Sequence, residues 1–320
     1  MRIITAADIA EVADFRSLVE TLREAFRHPA VAPLCHHHTI ERPEGEPDST
    51  LLLMPAWTDY AAQGTSKRGY TGVKIVSVVP DNKQRSLPSV VGAYLLLSGE
   101  SGIPLALLDG QALTLWRTAA ASALASTYLS RPDSKRLLMV GAGALAPYLI
   151  RAHCAMRPLE HVLIWNRSRE RAEKVAAKLG DLGARIAVTD DLEGATRGAD
   201  IISCATMSQE PLIDGHWLSG GQHVDLVGAF KPTMREVDSR AIGKARVFCD
   251  TREGALKESG DLAIPLAEGH FSADDVAGDL PDLCRGVRAG RRFYDQLTLF
   301  KSVGTAVEDL AVAAHVFARA

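Results

Sequence analysis

Residues 135–167 read KRLLMVGAGALAPYLIRAHCAMRPLEHVLIWNR, and no other stretch constrains the fold as much. An apolar run from Leu137 to Val140 leads into Gly141-Ala142-Gly143-Ala144-Leu145-Ala146. A helical segment follows to about Met156, and then a second apolar run, His161 to Trp165. Strand, glycine turn, helix and strand in that order form the βαβ unit that holds a dinucleotide. Gly141 permits the tight turn, and Gly143 lets the backbone approach a pyrophosphate. Ala146 is small enough for the helix to lie close to the strand, whose helix N-terminus then faces the phosphate charge. A lone G-x-G-x-x-A is weak evidence; here both flanking strands accompany it.

The second strand runs into Asn166-Arg167-Ser168, where an NAD site usually carries Asp or Glu. An acidic residue there binds the ribose hydroxyls and repels a 2′-phosphate. Asn followed by Arg does the opposite, because the guanidinium pairs with a phosphate and no carboxylate opposes it. Arg171, one helical turn on, adds a second positive charge or stacks on the adenine. The competing reading is a solvated helix start built from Arg167, Arg169 and Arg171. NADP(H) is the expected cofactor, with NAD(H) as the weaker alternative.

A chain of 320 residues exceeds a typical single domain, so two are expected. Its 47% hydrophobic and 23% charged residues describe an ordinary globular protein. A net charge of -3 with interspersed signs offers no footprint for nucleic acid or an acidic membrane. Five cysteines without any C-x-x-C fit buried thiols in a reducing compartment. Neither a signal-peptide core nor a membrane-length apolar run is visible, so a cytoplasmic protein is expected.

Along the chain, Ile9 to Phe26 has apolar residues at helical spacing and predicts one amphipathic helix. Strand texture begins at Leu51–Met54 and continues at Gly72–Val79, Val90–Leu97 and Pro104–Leu108, which suggests an antiparallel or mixed sheet. An alanine-rich helix spans Thr114 to Leu129. Beyond the glycine turn, a helix at 170–179 alternates with strands at 185–188, 200–205, 223–227 and 246–250. Leu297 to Phe317 reads as a final helix. The fold class is therefore α/β: a Rossmann dinucleotide-binding domain at 121–299, inserted in a discontinuous α+β substrate and dimerisation domain at 1–120 and 300–320.

Two cations stand in apolar surroundings. Lys74 lies on a strand among Val73, Ile75 and Val76, and must either point to solvent or meet an anion. Arg117 lies near the start of the alanine-rich helix, where a buried guanidinium calls for a carboxylate that suits its fork.

Several further segments form a set with the glycine turn: Leu53-Met54-Pro55-Ala56-Trp57, Gly72-Val73-Lys74-Ile75-Val76, Pro80-Asp81-Asn82 and Leu107-Leu108-Asp109-Gly110. Leu113-Thr114-Leu115-Trp116-Arg117-Thr118-Ala119-Ala120 and Lys301-Ser302-Val303-Gly304 complete it. Together they resemble the ornithine cyclodeaminase/μ-crystallin family over essentially the whole chain. The resemblance implies a homodimer joined through the sheet of the substrate domain, and nicotinamide-dependent chemistry on α-amino or α-imino acids. It implies that Lys74 and Arg117 are catalytic and meet the substrate carboxylate, Arg117 reaching the cofactor too. Thr118 would help at the pyrophosphate, Ala144 and Leu145 belong to the phosphate turn, and Ser89 and Ser302 lie near the nicotinamide. Thr206 and Met234 join Asn166, Arg167, Ser168 and Arg171 in the cofactor set, and Val303 lies against substrate.

The chain departs from that pattern twice. Cyclodeaminases carry a catalytic Asp after the strand equivalent to His223–Val227, in a place held here by Phe230 of Gly228-Ala229-Phe230-Lys231-Pro232. Cyclodeamination needs a base that manages protons, and phenylalanine cannot serve; Asp225, on the strand itself, reads as structural. This segment and Ala255-Leu256-Lys257-Glu258-Ser259-Gly260-Asp261 resemble the ketimine-reductase and μ-crystallin branch, in which Glu258 is a candidate substrate ligand. The second departure is Cys35 where the family has a carboxylate-binding Arg. Arg42 or a histidine of His36-His37-His38 could compensate, and that run lacks a third ligand at metal-binding spacing. The expected activity is NADPH-dependent reduction of cyclic ketimines such as Δ1-pyrroline-2-carboxylate or Δ1-piperideine-2-carboxylate. Ornithine or lysine cyclodeamination, an alanine-type dehydrogenase, and a non-catalytic NADPH-dependent binding protein are the alternatives. The expected partner is a small imino acid, with no nucleic acid, membrane or metal.

Overall fold

The computed structural model describes residues 1–28, 30–62, 69–85 and 87–320, with Lys83 described by its backbone alone. The chain divides into two compact units, Met1–Arg117 with Thr305–Ala320, and Thr118–Gly304.

Among the described residues, the first unit holds a seven-stranded sheet in the order Arg2–Ile4, Pro104–Asp109, Val90–Ser98, Tyr70–Val78, Ser49–Thr58, Ala30–Val31, with His36–Ile40 also paired to Ser49–Thr58. Its first pair is parallel and the rest antiparallel, so the sheet is mixed. Side-chain alternation gives the sheet two unlike faces. Met54, Lys74, Tyr94, Leu108 and Ile4 form one row across it, and Ala56, Gly72, Leu96 and Ala106 the next. Apart from half-buried Met54, these residues are buried, and helix Ala306–Phe317 lies against the strands that carry most of them. That helix also packs on Phe15–Arg27, whose buried Phe15, Leu18, Val19, Leu22 and Phe26 repeat at helical spacing. The opposite face carries the row Ile3, Leu107, Leu95, Val73, Pro55, each half-buried or exposed in this chain.

The single helix expected from Ile9 to Phe26 is two, Ala6–Val12 and Phe15–Arg27. Asp14 breaks it: its carboxylate accepts from the backbone N–H groups of Arg16 and Ser17 and caps the second helix. The alanine-rich helix starts at Gly110, a turn earlier than expected, which puts Arg117 two turns inside it.

The second unit is an eight-stranded sheet among the described residues, parallel throughout. The order is Arg185–Val188, His161–Trp165, Arg136–Val140, Ile201–Cys204, His223–Leu226, Thr298–Lys301, Arg246–Cys249, Val276–Asp279. Its central strands are buried along their length, as a sheet covered on both faces requires. The expected helix over 297–317 is corrected here. Thr298–Lys301 is a strand between His223–Leu226 and Arg246–Cys249, and only Ala306–Phe317 is helical. A four-residue strand with only Leu299 and Phe300 apolar is too short to be separated from helix by periodicity. Gly304, at φ +87°, then turns the chain before Thr305 caps the helix by accepting from Val307.

Candidate functional site

In the first unit, Lys74 lies on the buried sheet face and meets an anion from its own chain. Its Nζ is 2.6 Å from Oδ2 of Asp309. Arg117 donates from Nε to the other oxygen of Asp309 at 3.0 Å and from Nη1 to Glu308 at 2.8 Å. Lys74 and Arg117 are 4% and 6% exposed and both carboxylates are fully buried, so the four charges are solvated by one another. Burial pulls the Lys74 ammonium below its ordinary pKa; Asp309 opposes that shift, and the Arg117 charge adds to it. The acids occupy the first turn of helix Ala306–Phe317, where the helix dipole favours negative charge. Sequence reasoning found the cations and missed the acids, because it followed the apolar stripe of that helix. The available signal was an adjacent acidic pair in a segment otherwise rich in alanine, valine and leucine. Ser89 is half-buried, and its hydroxyl donates to the Pro80 carbonyl at 3.4 Å.

In the second unit, Gly141 ends strand Arg136–Val140 where the strand order reverses between that strand's two neighbours. This switch point is the usual ligand crevice of an open parallel sheet. Gly141 has φ +111°, and a Cβ there would come within 2.6 Å of the Ala205 carbonyl at the end of the neighbouring strand. The tight turn and the close approach thus fall on the same residue. Gly143 is exposed, and a Cβ on it would meet nothing within 4 Å. The space above it is therefore open, and its lack of a side chain answers to no contact within the chain. The backbone N–H groups of Ala142, Gly143, Ala144 and Leu145 have no partner among the described residues, and no side chain caps helix Ala146–Met156. Open space over a glycine beside four unsatisfied donors fits a dinucleotide pyrophosphate.

Where the 2′-position of a ribose is read in such folds, Asn166 is half-buried and donates to the Ser168 carbonyl at 2.9 Å. Arg167 and Arg171 are exposed, and among the described residues neither side chain has a partner. Arg169 differs, being tied to Glu173 and Asp190.

Three further residues of the sequence-derived set in this unit, Thr206, Ser302 and Val303, are held by buried acids at the strand ends. Thr206 donates through its N–H and hydroxyl to Glu236 Oε1, both at 2.7 Å, while Gly228 N–H donates to Oε2 at 2.7 Å. Burial raises the Glu236 carboxyl to about 7, with Lys301 opposing that shift. Asp261 accepts from the Glu236 backbone at 2.6 Å and pairs with Lys301 at 3.2 Å. Asp250 gathers Ser302 Oγ and the N–H groups of Val303 and Gly304 on one oxygen. Burial pushes its carboxyl up, against those donors. Thr118 and Met234 are buried. Glu258 is exposed at the end of helix Arg252–Glu258, and Phe230 is 46% exposed in the loop after strand His223–Leu226. Asp225 is fully buried, accepting from Ser203 at 2.7 Å and bonded to His153 at 3.1 Å. Burial pushes Asp225 up, but the His153 and Ser203 contacts outweigh it and hold the carboxyl low.

His36, His37 and His38 are exposed on strand His36–Ile40. Among the described residues no group of three His, Cys, Asp or Glu is placed to hold a metal, and no helix is long and apolar enough to cross a membrane.

A switch-point crevice with open backbone donors in one unit and a buried Lys–Arg–carboxylate cluster in the other delimit the class, and the comparisons agree. The model of the ornithine cyclodeaminase/μ-crystallin family matches residues 1–320, and the chain belongs to that family. It is similar to the Δ(1)-pyrroline-2-carboxylate reductase of Colwellia psychrerythraea, 37% identical over 98% of each chain. It is also similar to the Thermococcus litoralis Δ(1)-pyrroline-2-carboxylate reductase solved with NADH and L-proline, at TM-score 0.89 and 33% identity over 99% of this chain and 97% of that one. An archaeal alanine dehydrogenase dimer with bound NAD superposes at TM-score 0.88 with 27% identity, over 99% and 95%.

Proposed function

We propose that the protein reduces cyclic ketimines bearing a carboxylate, Δ1-pyrroline-2-carboxylate or Δ1-piperideine-2-carboxylate, to L-proline or L-pipecolate with NADPH. The observation that carries this reading is the buried quartet of Lys74, Arg117, Glu308 and Asp309. Two cations and two carboxylates are neutral as a set, yet charges of both signs are available. A protonated cyclic imine with its carboxylate is a zwitterion and is neutral too. Bringing the two together leaves no net charge to desolvate. Lys74 and Arg117 hold the substrate carboxylate, Arg117 by its planar fork. The negative charge of Asp309 and Glu308 favours the proton on the ring nitrogen, which keeps the adjacent carbon electrophilic. The reduced nicotinamide, when bound, supplies a hydride to that carbon. What this chain then contributes is largely position. No further strong acid is required, in keeping with Phe230 where cyclodeaminases carry Asp.

The unit 118–304 is read as the cofactor unit. Its glycine turn, Thr118, Thr206, Met234 and Ser302 are read at the dinucleotide, and Ser89 keeps the nicotinamide role that the family resemblance implies. Glu258 and Val303 are read at the substrate. Asn166 and the unpartnered Arg167 and Arg171 support NADPH, although the Thermococcus litoralis relative was solved with NADH. The first unit is read as the substrate and dimer unit, because its second sheet face is a continuous apolar row left half-open in one chain. NADPH consumption with each ketimine, beside proline and ammonia release from L-ornithine, tests the assignment. Ketimine turnover without ornithine turnover is expected. Comparable turnover of ornithine, or none of either ketimine, overturns it.

A further inference from the structure

One polar atom in the first unit has no use in the account above. Tyr94 stands directly across from Lys74 in the register of strands Val90–Ser98 and Tyr70–Val78, on the same buried face. It is 1% exposed, and its hydroxyl has no hydrogen-bond partner among the described residues. The hydroxyl leans over the strand beside it: a Cβ on Gly72, two residues before Lys74, would lie 2.2 Å from Tyr94 Oη. Gly72 thus leaves the room that the hydroxyl occupies. A phenylalanine would fill the same space without burying an unsatisfied donor, so packing alone gives no reason for the oxygen.

We propose that Tyr94 is a substrate-binding residue whose hydroxyl donates a hydrogen bond to the carboxylate of the imino acid held by Lys74. The inference rests on the reading of the Lys74–Arg117 cluster as the imino acid site. Burial raises the phenol's pKa, and the nearby Asp309 charge adds to the rise. The group is therefore a hydrogen-bond donor throughout the working pH range, and its natural partner is an acceptor. A protonated ring nitrogen has no lone pair to offer; the substrate carboxylate has several. A third donor beside Lys74 and Arg117 would also narrow the angle at which the carboxylate sits, and so the position of the reacting carbon.

Tyr94→Phe tests this, with three measurements on parent and variant in parallel: thermal midpoint without ligand, L-proline affinity with cofactor bound, and steady-state ketimine reduction. The variant is expected to melt at or above the parent temperature, to bind L-proline roughly tenfold more weakly and to show a KM for ketimine raised by a similar factor. Its affinity for the cofactor alone should be unchanged, which a general loosening of the unit would not allow. A parent that binds L-proline and reduces ketimine, beside a variant that matches it in both, overturns the role of Tyr94 alone. A lowered melting temperature with unchanged KM assigns the hydroxyl to structure and overturns it too. A parent that does neither overturns the reading of the site, and the inference with it.

Discussion

Lys74 and Arg117 meet Asp309 and Glu308 inside the first unit, whereas Arg167 and Arg171 of the second stand exposed with no partner among the described residues. Both pairs are cations assigned to anionic ligand groups, yet their physical situations are opposite. A buried cation needs compensation before any ligand arrives, so its carboxylate partners are part of the fold. An exposed cation is compensated by water and costs the fold nothing, and its charge is free to select what binds. On that assignment, stability and ligand binding run through the same atoms in the first unit, and at the end of strand His161–Trp165 they are separate.

The largest effect is expected where the two are joined. Lys74→Met leaves the fully buried Asp309 with one cation instead of two. It should lower unfolding free energy by about 3–5 kcal/mol, the range for breaking a buried pair. The kcat/KM for ketimine should fall by orders of magnitude. Adding Asp309→Asn removes the orphaned charge and should restore much of the stability, measured by denaturant unfolding, without restoring turnover. If stability and turnover returned together, Lys74 would be a structural ion only and the contrast between the units would vanish.

At the exposed end the same operation should touch binding alone. Arg167→Ala is expected to leave the unfolding free energy of the ligand-free protein within about 0.5 kcal/mol of the parent, as for a surface change. NADPH binding should weaken by about 1–3 kcal/mol, with NADH nearly unaffected. Titration of both cofactors decides it. Equal losses would mean that Arg167 does not read the 2′-phosphate, and NADPH would lose its main support.

How much of this could be read from residues follows the same division. The glycine turn was legible because its constraint is local: Gly141 at φ +111° and a strand on either side leave a signature within thirty residues. Lys74 and Arg117 were legible as cations out of place. Their partners were not, since the Asp309–Lys74 contact spans the whole inserted unit and no local period announces it. Thr298–Lys301 was misread for a related reason. Its strand character comes from neighbours on both sides, at residues 223–226 and 246–249, and a short segment with two apolar residues ahead of a helix looks like more helix. The acids that clamp the strand-end loops, Glu236, Asp250 and Asp261, carry no local sequence signal, and their complete burial and backbone donors are what distinguish them.

Phe230 gives the smallest and most discriminating test, because it is a chemical departure at an exposed position. Its side chain is 46% exposed, and its backbone N–H already bonds to the Gly228 carbonyl. A carboxylate placed there would be hydrated in the free protein, so Phe230→Asp should change stability by no more than about 0.5 kcal/mol. Reduction is a different matter. If bound substrate covers this loop, the new charge must give up water or take a proton, and ketimine kcat/KM should fall by roughly tenfold or less. Cyclodeaminase activity need not appear, since an acyclic diamine also requires a place for its distal ammonium. Steady-state reduction and ornithine turnover, measured on the same preparation, separate the outcomes. Unchanged reduction would place residue 230 away from the reacting ring and remove Phe230 from the case against cyclodeamination. Efficient ornithine turnover in the variant would mean the opposite: that this single position divides the two chemistries, on a scaffold otherwise competent for both.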